Sequence, residues 1–181
     1  FARSRLLFLG LIVDKEGTQP NPDLVSAVKN TPPPSNTREL RRFLSMLSYN
    51  KDHIPKLAAR SAPLSILLRK NEPWRWEQPQ VTAFEDLRLA LTTAPVLVHA
   101  DLSRRFHLAI DAATGAAIGG TLLQKDDMGR DRVVAYGSYR LDKHQQQYST
   151  PKAECYAIVY FTRHWRHFLL GRQFTLHTDH E

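Results

Sequence analysis

The stretch RRFHLAIDAATGAAIGGTLLQKDDMGRDRVVAYGSYRL, residues 104–141, decides the fold class of the second half of this chain. Apolar and polar residues alternate in short runs, and segments rich in Gly and Asp separate these runs. This alternation is typical of strands that bury one face, and short turns between such strands favour an antiparallel meander. The stretch therefore predicts three strands, at residues 105–111, 116–124 and 131–138.

The segment after the meander predicts one long helix over residues 151–170. Thr150 can cap its start, Pro151 suits its first turn, and Gly171 can close its end. Apolar residues follow Glu154 at the spacing of one helix face, namely Ile158, Phe161, Trp165 and Phe168. We therefore expect Glu154 to lead a buried stripe. The other interpretation is an ordinary first-turn acid that the helix dipole favours.

Three carboxylates define a candidate metal site. Asp111 ends the run FHLAID, Glu154 opens the long helix, and Asp179 ends the strand-like run FTLHTD. Each alone has an ordinary explanation, since an aspartate at a strand end commonly starts a turn. Two strands and a helix can nevertheless bring these side chains together, and buried unpaired charge is very costly. Oxygen ligands suit Mg²⁺, and a pair of such ions can drive phosphodiester hydrolysis, so the trio predicts a metal-dependent nuclease.

The start of the chain predicts a hairpin followed by a short helix. The run FLGLIVDKEGTQPNP contains two strand-like segments around a turn at residues 15–17. Asn21 can cap a helix whose first residue is Pro22 and which continues to Lys29. The prolines at 32–34 cannot continue a helix and hold the chain extended.

A second helix is predicted to start at Asn36 or Thr37. Its buried stripe has the spacing i, i+3, i+4 and i+7 and consists of Leu40, Phe43, Leu44 and Leu47. Three arginines lie off that stripe, namely Arg38, Arg41 and Arg42. They are candidates for gripping a nucleic-acid backbone, although a merely solvated helix face is the common alternative.

Two further helical segments complete the first hundred residues. KLAARSAPLSILLRK is apolar on one side and is expected to break or bend at Pro63. Trp74 and Trp76 then precede a helix that begins at Pro79 and ends before Pro95. Such tryptophans can stack on bases, but they more often anchor a loop to a core.

Composition narrows the class of protein. The chain has 181 residues and a net charge of +7, which favours a polyanionic partner even though many basic proteins bind no nucleic acid. No apolar run approaches the ~20 residues that a membrane span needs. The lone cysteine, Cys155, allows no internal disulfide and is expected to be buried. We expect an intracellular protein, with cytoplasm and nucleus not distinguished.

Several segments together resemble a gypsy-type LTR-retrotransposon polyprotein. They are FLGLIVDKEG, PNPDLVSAVKNTPPPSNTRELRRFLSMLSY, APVLVHADLSRRFHLAIDA, QQYSTPKAECYAIV and WRHFLLGRQFTLHTDH. The resemblance implies an α/β protein in which a helical thumb and connection region precedes an RNase H-like domain with a mixed sheet and packed helices. It implies an end-of-palm hairpin and thumb at residues 1–70, a connection helix at 71–100, and an incomplete RNase H-like domain at 101–181.

The resemblance also implies roles for individual residues. Asp111 matches the family's TDAS-type motif, Glu154 its EKE-type motif and Asp179 its TDH motif, although the first motif reads Ile-Asp-Ala-Ala in this chain. These acids are implied to hold two Mg²⁺ ions that serve cleavage of the RNA strand of an RNA/DNA hybrid. The polymerase aspartates are expected before Phe1, and the last RNase H elements and a fourth acid beyond Glu181.

The implied partners are an RNA/DNA hybrid or a template–primer duplex and the rest of the polyprotein, whose intact form is implied to have RNA-directed DNA polymerase activity. A second hypothesis belongs to another class of function. It is a non-catalytic, element-derived protein that binds nucleic acid or a partner through the basic helices of the first hundred residues.

Overall fold

The structure is a computed structural model that describes residues 3–111 and 117–178. Within these residues, two β-sheets and a set of helices pack around two hydrophobic cores. The first core draws on residues between Val28 and Leu91, and the second on residues between Phe106 and Leu169. This mixed α/β organisation, with helices first and a mixed sheet second, confirms the fold class expected from the sequence.

The N-terminal sheet is antiparallel and has one strand more than the predicted hairpin. Its strands are β1 (Arg5–Phe8), β2 (Leu11–Asp14) and β3 (Gly17–Pro20). The Asp14 carboxylate holds the predicted turn by accepting hydrogen bonds from the backbone N–H groups of Glu16 and Gly17. The chain also reverses at Leu9 and Gly10, which have φ values of 45° and 69°, the positive range of tight hairpin turns.

Helices surround the first core. They are α1 (Pro22–Lys29), α2 (Thr37–Tyr49), α3 (Leu57–Arg60), α4 (Ala62–Ile66) and α5 (Gln78–Thr92), with a 3₁₀ turn at Lys51–His53. Asn21 caps α1 as predicted, and Asn36 caps α2, which starts at Thr37, one of the two predicted starts. Each side-chain oxygen accepts a backbone hydrogen bond of 3.0 Å. Leu40, Phe43 and Leu47 of the predicted α2 stripe are fully buried, and its fourth member, Leu44, is partly buried against the same core.

The later helical predictions also hold. The chain breaks at Ser61, between α3 and α4, two residues before Pro63. The rings of Trp74 and Trp76 stack with their centroids 5.7 Å apart, and Trp76 meets Phe84 of α5 edge-on. Both tryptophans are partly buried against the first core, so they anchor a loop as expected.

The second sheet is mixed. Its strands are β4 (Phe106–Asp111), β5 (Ala117–Lys125), β6 (Asp131–Arg140) and β7 (Phe174–His177), in the spatial order β6-β5-β4-β7. The first three form the predicted antiparallel meander. Four of their six ends differ from the predicted bounds by one or two residues. β7 pairs in parallel with β4, so that Ala109 lies opposite His177.

Two helices follow β6 where one was predicted. After a 3₁₀ turn at Gln145–Gln147, α6 (Thr150–His164) and α7 (Arg166–Leu169) are separated at Trp165. Ser149, not Thr150, takes the N-cap position of α6. The prediction of a single helix over 151–170 is therefore wrong in one respect. The helix is interrupted at Trp165, a residue that the apolar spacing placed inside it.

The predicted apolar stripe is confirmed in part, because Phe161 and Trp165 are buried and Ile158 and Phe168 are partly buried against the second core, but Glu154 does not lead it. Ala153, Ala157 and Phe161 point into the core, whereas Glu154 is half-buried on the flank and leads no buried stripe. Gly120 and Gly137 leave a hollow in the second sheet, where an added Cβ would stand 2.8 Å and 2.6 Å from the Phe161 ring. Phe161 fills this hollow and thereby sets the rotation of the helix. On the same helix, Cys155 is exposed, so its expected burial is wrong.

Candidate functional site

Asp111 is the last residue of β4 and faces away from α6. Along this strand Phe106, Leu108 and Ile110 are buried in the second core, while the residues between them are only half-buried. Successive strand residues point to opposite faces of a sheet. The Asp111 side chain therefore lies on the face opposite the core and is 41% exposed. In the strand pairing, Asp111 stands opposite Gly119 of β5.

A lysine from the first half of the chain neutralises Asp111. The Lys56 ammonium group forms an ion pair with the Asp111 carboxylate, although 55 residues separate the two in sequence. Lys56 has a left-handed backbone conformation, with φ 54° and ψ 32°, at the start of α3. Two residues later, the Ala58 N–H donates a 2.6 Å hydrogen bond to Ser138 Oγ of β6. α3 is thus docked on the sheet face that carries Asp111.

The described residues do not bring the other two predicted acids, Glu154 and Asp179, together with Asp111. Glu154 lies in the first turns of α6, and no hydrogen bond or ion pair between it and Asp111 is present in residues 3–111 and 117–178. Asp179 lies outside the described residues. The described part of the chain contains no group of three or more His, Cys, Asp or Glu side chains arranged to hold a metal ion. Convergence of the trio therefore stays a prediction.

Two histidines pair across β4 and β7 on the sheet face that carries Asp111, nearer the start of β4 than its end. His107 Nδ1 of β4 and His177 Nε2 of β7 are 3.0 Å apart, with the rings stacked. Burial is the main cause that lowers the pKa of His107, followed by the nearby His177 and Lys125. Sequence reasoning missed both this pair and Lys56. The run FTLHTD indicates a strand, but no local signal indicates which strand it joins.

The three candidate arginines form an exposed basic face on α2. Arg38, Arg41 and Arg42 are all solvent-exposed, as the helical phase predicted. The acid in the same helix, Glu39, accepts hydrogen bonds from Ser35 N and Oγ at 2.8 Å and 3.0 Å, and these bonds lower the pKa of Glu39. Within the described residues none of the three arginines forms an ion pair with an acid. Their charge is therefore available to an external anion.

The fold and the sequence together define a class of protein. Residues 76–176, more than half of the chain, match the model of the RNase H-like domain found in reverse transcriptase. The chain belongs to this family. Among curated proteins it is similar to the Tf2-3 and Tf2-4 transposon polyproteins of Schizosaccharomyces pombe, each with 35% identity over 182 aligned residues. The resemblance to gypsy-type retrotransposon polyproteins is thereby confirmed.

The extent of these matches differs between the chain and its relatives. The alignment covers 99% of this chain but 14% of each Tf2 polyprotein, so the chain spans a small part of its relatives. Solved structures of the foamy viral protease-reverse transcriptase share the fold. The structure with double-stranded DNA has a TM-score of 0.79 and the one with an RNA/DNA hybrid 0.77, both at 16% identity. These matches cover 97% and 96% of this chain, and 37% and 24% of the viral chains.

Membrane association through a spanning helix has no support in the described ranges. None of the helices found there combines the length and the apolar character needed to cross a bilayer.

Proposed function

We propose that this chain carries the nuclease site of a retrotransposon reverse transcriptase. The reaction is Mg²⁺-dependent endonucleolytic hydrolysis of the RNA strand of an RNA/DNA hybrid, and the intact polyprotein adds RNA-directed DNA polymerase activity. The observation that carries the proposal is Asp111, a half-exposed carboxylate at the end of β4 that already has a cationic group against it. Family membership supplies the context for this observation.

Carboxylates are the proposed donors for a divalent cation. The Lys56 ammonium group beside Asp111 supports a cation at this carboxylate, and carboxylate oxygens are the ligands that Mg²⁺ prefers. Asp111 would hold metal from the end of β4 and Glu154 from the first turns of α6. Because α6 packs on the other face of the sheet, the two carboxylates would have to meet beyond the end of β4. When bound, two Mg²⁺ ions would activate water and stabilise the leaving oxygen of the phosphodiester. The protein's own contribution is to fix these carboxylates on rigid elements.

Asp179 is proposed as the third ligand because of the pairing between β4 and β7. The last paired residue of β7, His177, lies opposite Ala109 of β4, and the two strands are parallel. Asp111 follows Ala109 by two residues, and Asp179 follows His177 by the same number. Parallel strands carry equal steps in the same direction, which supports a shared site for the two aspartates.

An asparagine substitution at Asp111 tests the nuclease. In the full reverse transcriptase, Asp111→Asn should abolish cleavage of the RNA strand of a labelled hybrid, because the amide is neutral and cannot replace a metal-binding carboxylate. Asp127→Asn is the matched control, since Asp127 is 89% exposed and pairs with Arg104 far from Asp111. Undiminished Mg²⁺-dependent cleavage by Asp111→Asn would contradict the proposal.

A second candidate function rests on the α2 arginines. A non-catalytic, element-derived protein could bind a nucleic-acid backbone or an acidic partner through the exposed Arg38, Arg41 and Arg42. Counterion release makes phosphate binding fall steeply as salt rises, so mobility shifts with hybrid, duplex and single strand at two salt concentrations test it. Salt-sensitive binding without hybrid cleavage would favour this function over the nuclease. Negligible binding at both concentrations would exclude it.

A further inference from the structure

We infer that Lys56 is a resident counter-cation of Asp111 and competes with the divalent ion for that carboxylate. The inference rests on the proposed function, because it concerns the same metal site. It adds a residue from the helical half of the chain, outside the span matched by the family model, which begins at residue 76. Lys56 thereby becomes a determinant of metal affinity at a site otherwise formed by acids.

The backbone around Lys56 directs the lysine side chain towards Asp111. Lys56 has φ 54°, and a non-glycine residue in this left-handed region is uncommon, because its Cβ approaches the backbone closely. The Ala58 hydrogen bond to Ser138 anchors the chain immediately afterwards. Opposite Asp111, a Cβ added to Gly119 would stand 3.5 Å from Lys56 Cγ, so the lysine stem lies directly over this glycine. The stem is therefore guided across the sheet towards Asp111.

The Lys56–Asp111 ion pair is exposed enough for a divalent ion to displace the ammonium group. The side chains of Lys56 and Asp111 are 53% and 41% exposed, so water screens their attraction. Exposed pairs of this kind contribute little to stability, and a divalent ion carries twice the charge of an ammonium group. Removing the ammonium group should therefore tighten divalent-ion binding by about two- to fivefold, with no large effect on folding.

Mn²⁺ binding to the full 181-residue chain tests the inference without any nuclease assay. Free Mn²⁺ is measured by electron paramagnetic resonance for the wild type, Lys56→Met, Lys56→Arg and Asp111→Asn. Lys51→Met is the control, since it removes one positive charge from the adjacent 3₁₀ turn, and no ion pair of Lys51 is found in the described part of the chain. Lys56→Met should bind Mn²⁺ about two- to fivefold more tightly than Lys51→Met, and Lys56→Arg should resemble the wild type.

The double variant Lys56→Met/Asp111→Asn identifies the carboxylate involved. If Lys56 acts through Asp111, the gain from Lys56→Met disappears in the Asp111→Asn background. Equal Mn²⁺ affinity of Lys56→Met and Lys51→Met, with Asp111-dependent binding intact, would overturn the inference and leave the proposed nuclease site standing. Absence of Asp111-dependent Mn²⁺ binding in every variant would overturn the metal site itself, and the inference with it.

Discussion

The buried residue His53 should make the stability of this protein depend on pH. His53 is 2% exposed, and its Nε2 lies 3.3 Å from the carbonyl oxygen of Thr18. Burial lowers the pKa of His53 below its usual 6.5, and the contact with Thr18 opposes this effect only in part. The neutral imidazole is therefore the form that the folded protein favours.

Acidification should destabilise the folded chain through this residue. Below about pH 6.5 the unfolded chain binds a proton at His53 more readily than the folded one, so stability is lost as the pH falls through that window. We expect the thermal midpoint to drop between about pH 7.5 and pH 5, and to drop less in His53→Gln, which keeps an amide donor. Burial lowers the pKa of His107 and of His164 as well, so part of the slope will persist.

Calorimetry across this pH range measures the effect. His144→Gln, at an exposed position in the loop before α6, is the surface control. A His53→Gln slope equal to that of the wild type would show that His53 does not cause the loss of stability.

Local signals predicted some residues well and others not at all. Asn21 and Asn36 are caps because their oxygens reach backbone N–H groups two and three residues away, and such information is present in a short window of sequence. The Lys56–Asp111 pair depends on how α3 docks against the second sheet, across 55 residues of sequence. No periodicity encodes that distance.

The position of α6 on the second sheet depends on the packing of the Phe161 ring against Gly120 and Gly137. The prediction of a helix was correct because capping residues and apolar spacing are local properties. Its rotation was not predictable in this way, since it depends on the hollow that Gly120 and Gly137 leave on adjacent strands.

Filling that hollow should destabilise the second core. In Gly137→Ala the new methyl group would meet Phe161 Cε1 at 2.6 Å, and overpacking of this kind costs about 1–3 kcal/mol. Chemical denaturation of Gly137→Ala, Phe161→Leu and the double variant measures the coupling. Because leucine lacks the ring, the double variant should lose less stability than the sum of the single changes. Strict additivity would show that the ring and the glycine are not in contact.

Basic side chains across the molecule differ in whether they form an ion pair with an acid. Arg104, Lys125 and Arg130 sit in ion pairs around the β5–β6 turn, whereas Arg38, Arg41 and Arg42 lack acidic partners in the described ranges. The net charge of +7 alone does not distinguish these sets. The distinction indicates α2 as the surface to which a phosphate backbone would bind.

Replacing the α2 arginines should change the salt dependence of hybrid binding. In Arg38→Gln/Arg41→Gln/Arg42→Gln, the slope of log affinity against log salt should shrink by about 0.9 for each phosphate that an arginine no longer neutralises. The matched control replaces Arg104, Lys125 and Arg130 by glutamine, which removes the same total charge from ion-paired positions. Fluorescence anisotropy at several salt concentrations gives both slopes. Equal changes in the two triple variants would indicate a general charge effect and no α2 interface.

The strand pairing of Gly17–Pro20 has a mechanical consequence for the whole chain. Thr18 exchanges backbone hydrogen bonds of 2.7 and 2.9 Å with Leu97, and the next residue, Val98, donates one of 2.8 Å to Val133 of β6. A side chain at Gly17 would collide with Leu97, since its Cβ would stand 1.9 Å from the carbonyl oxygen. Leu97 and Val98, which are neighbours in the chain, are thus hydrogen-bonded to strands of different sheets. We expect this short junction to limit how far the two sheets can move relative to each other.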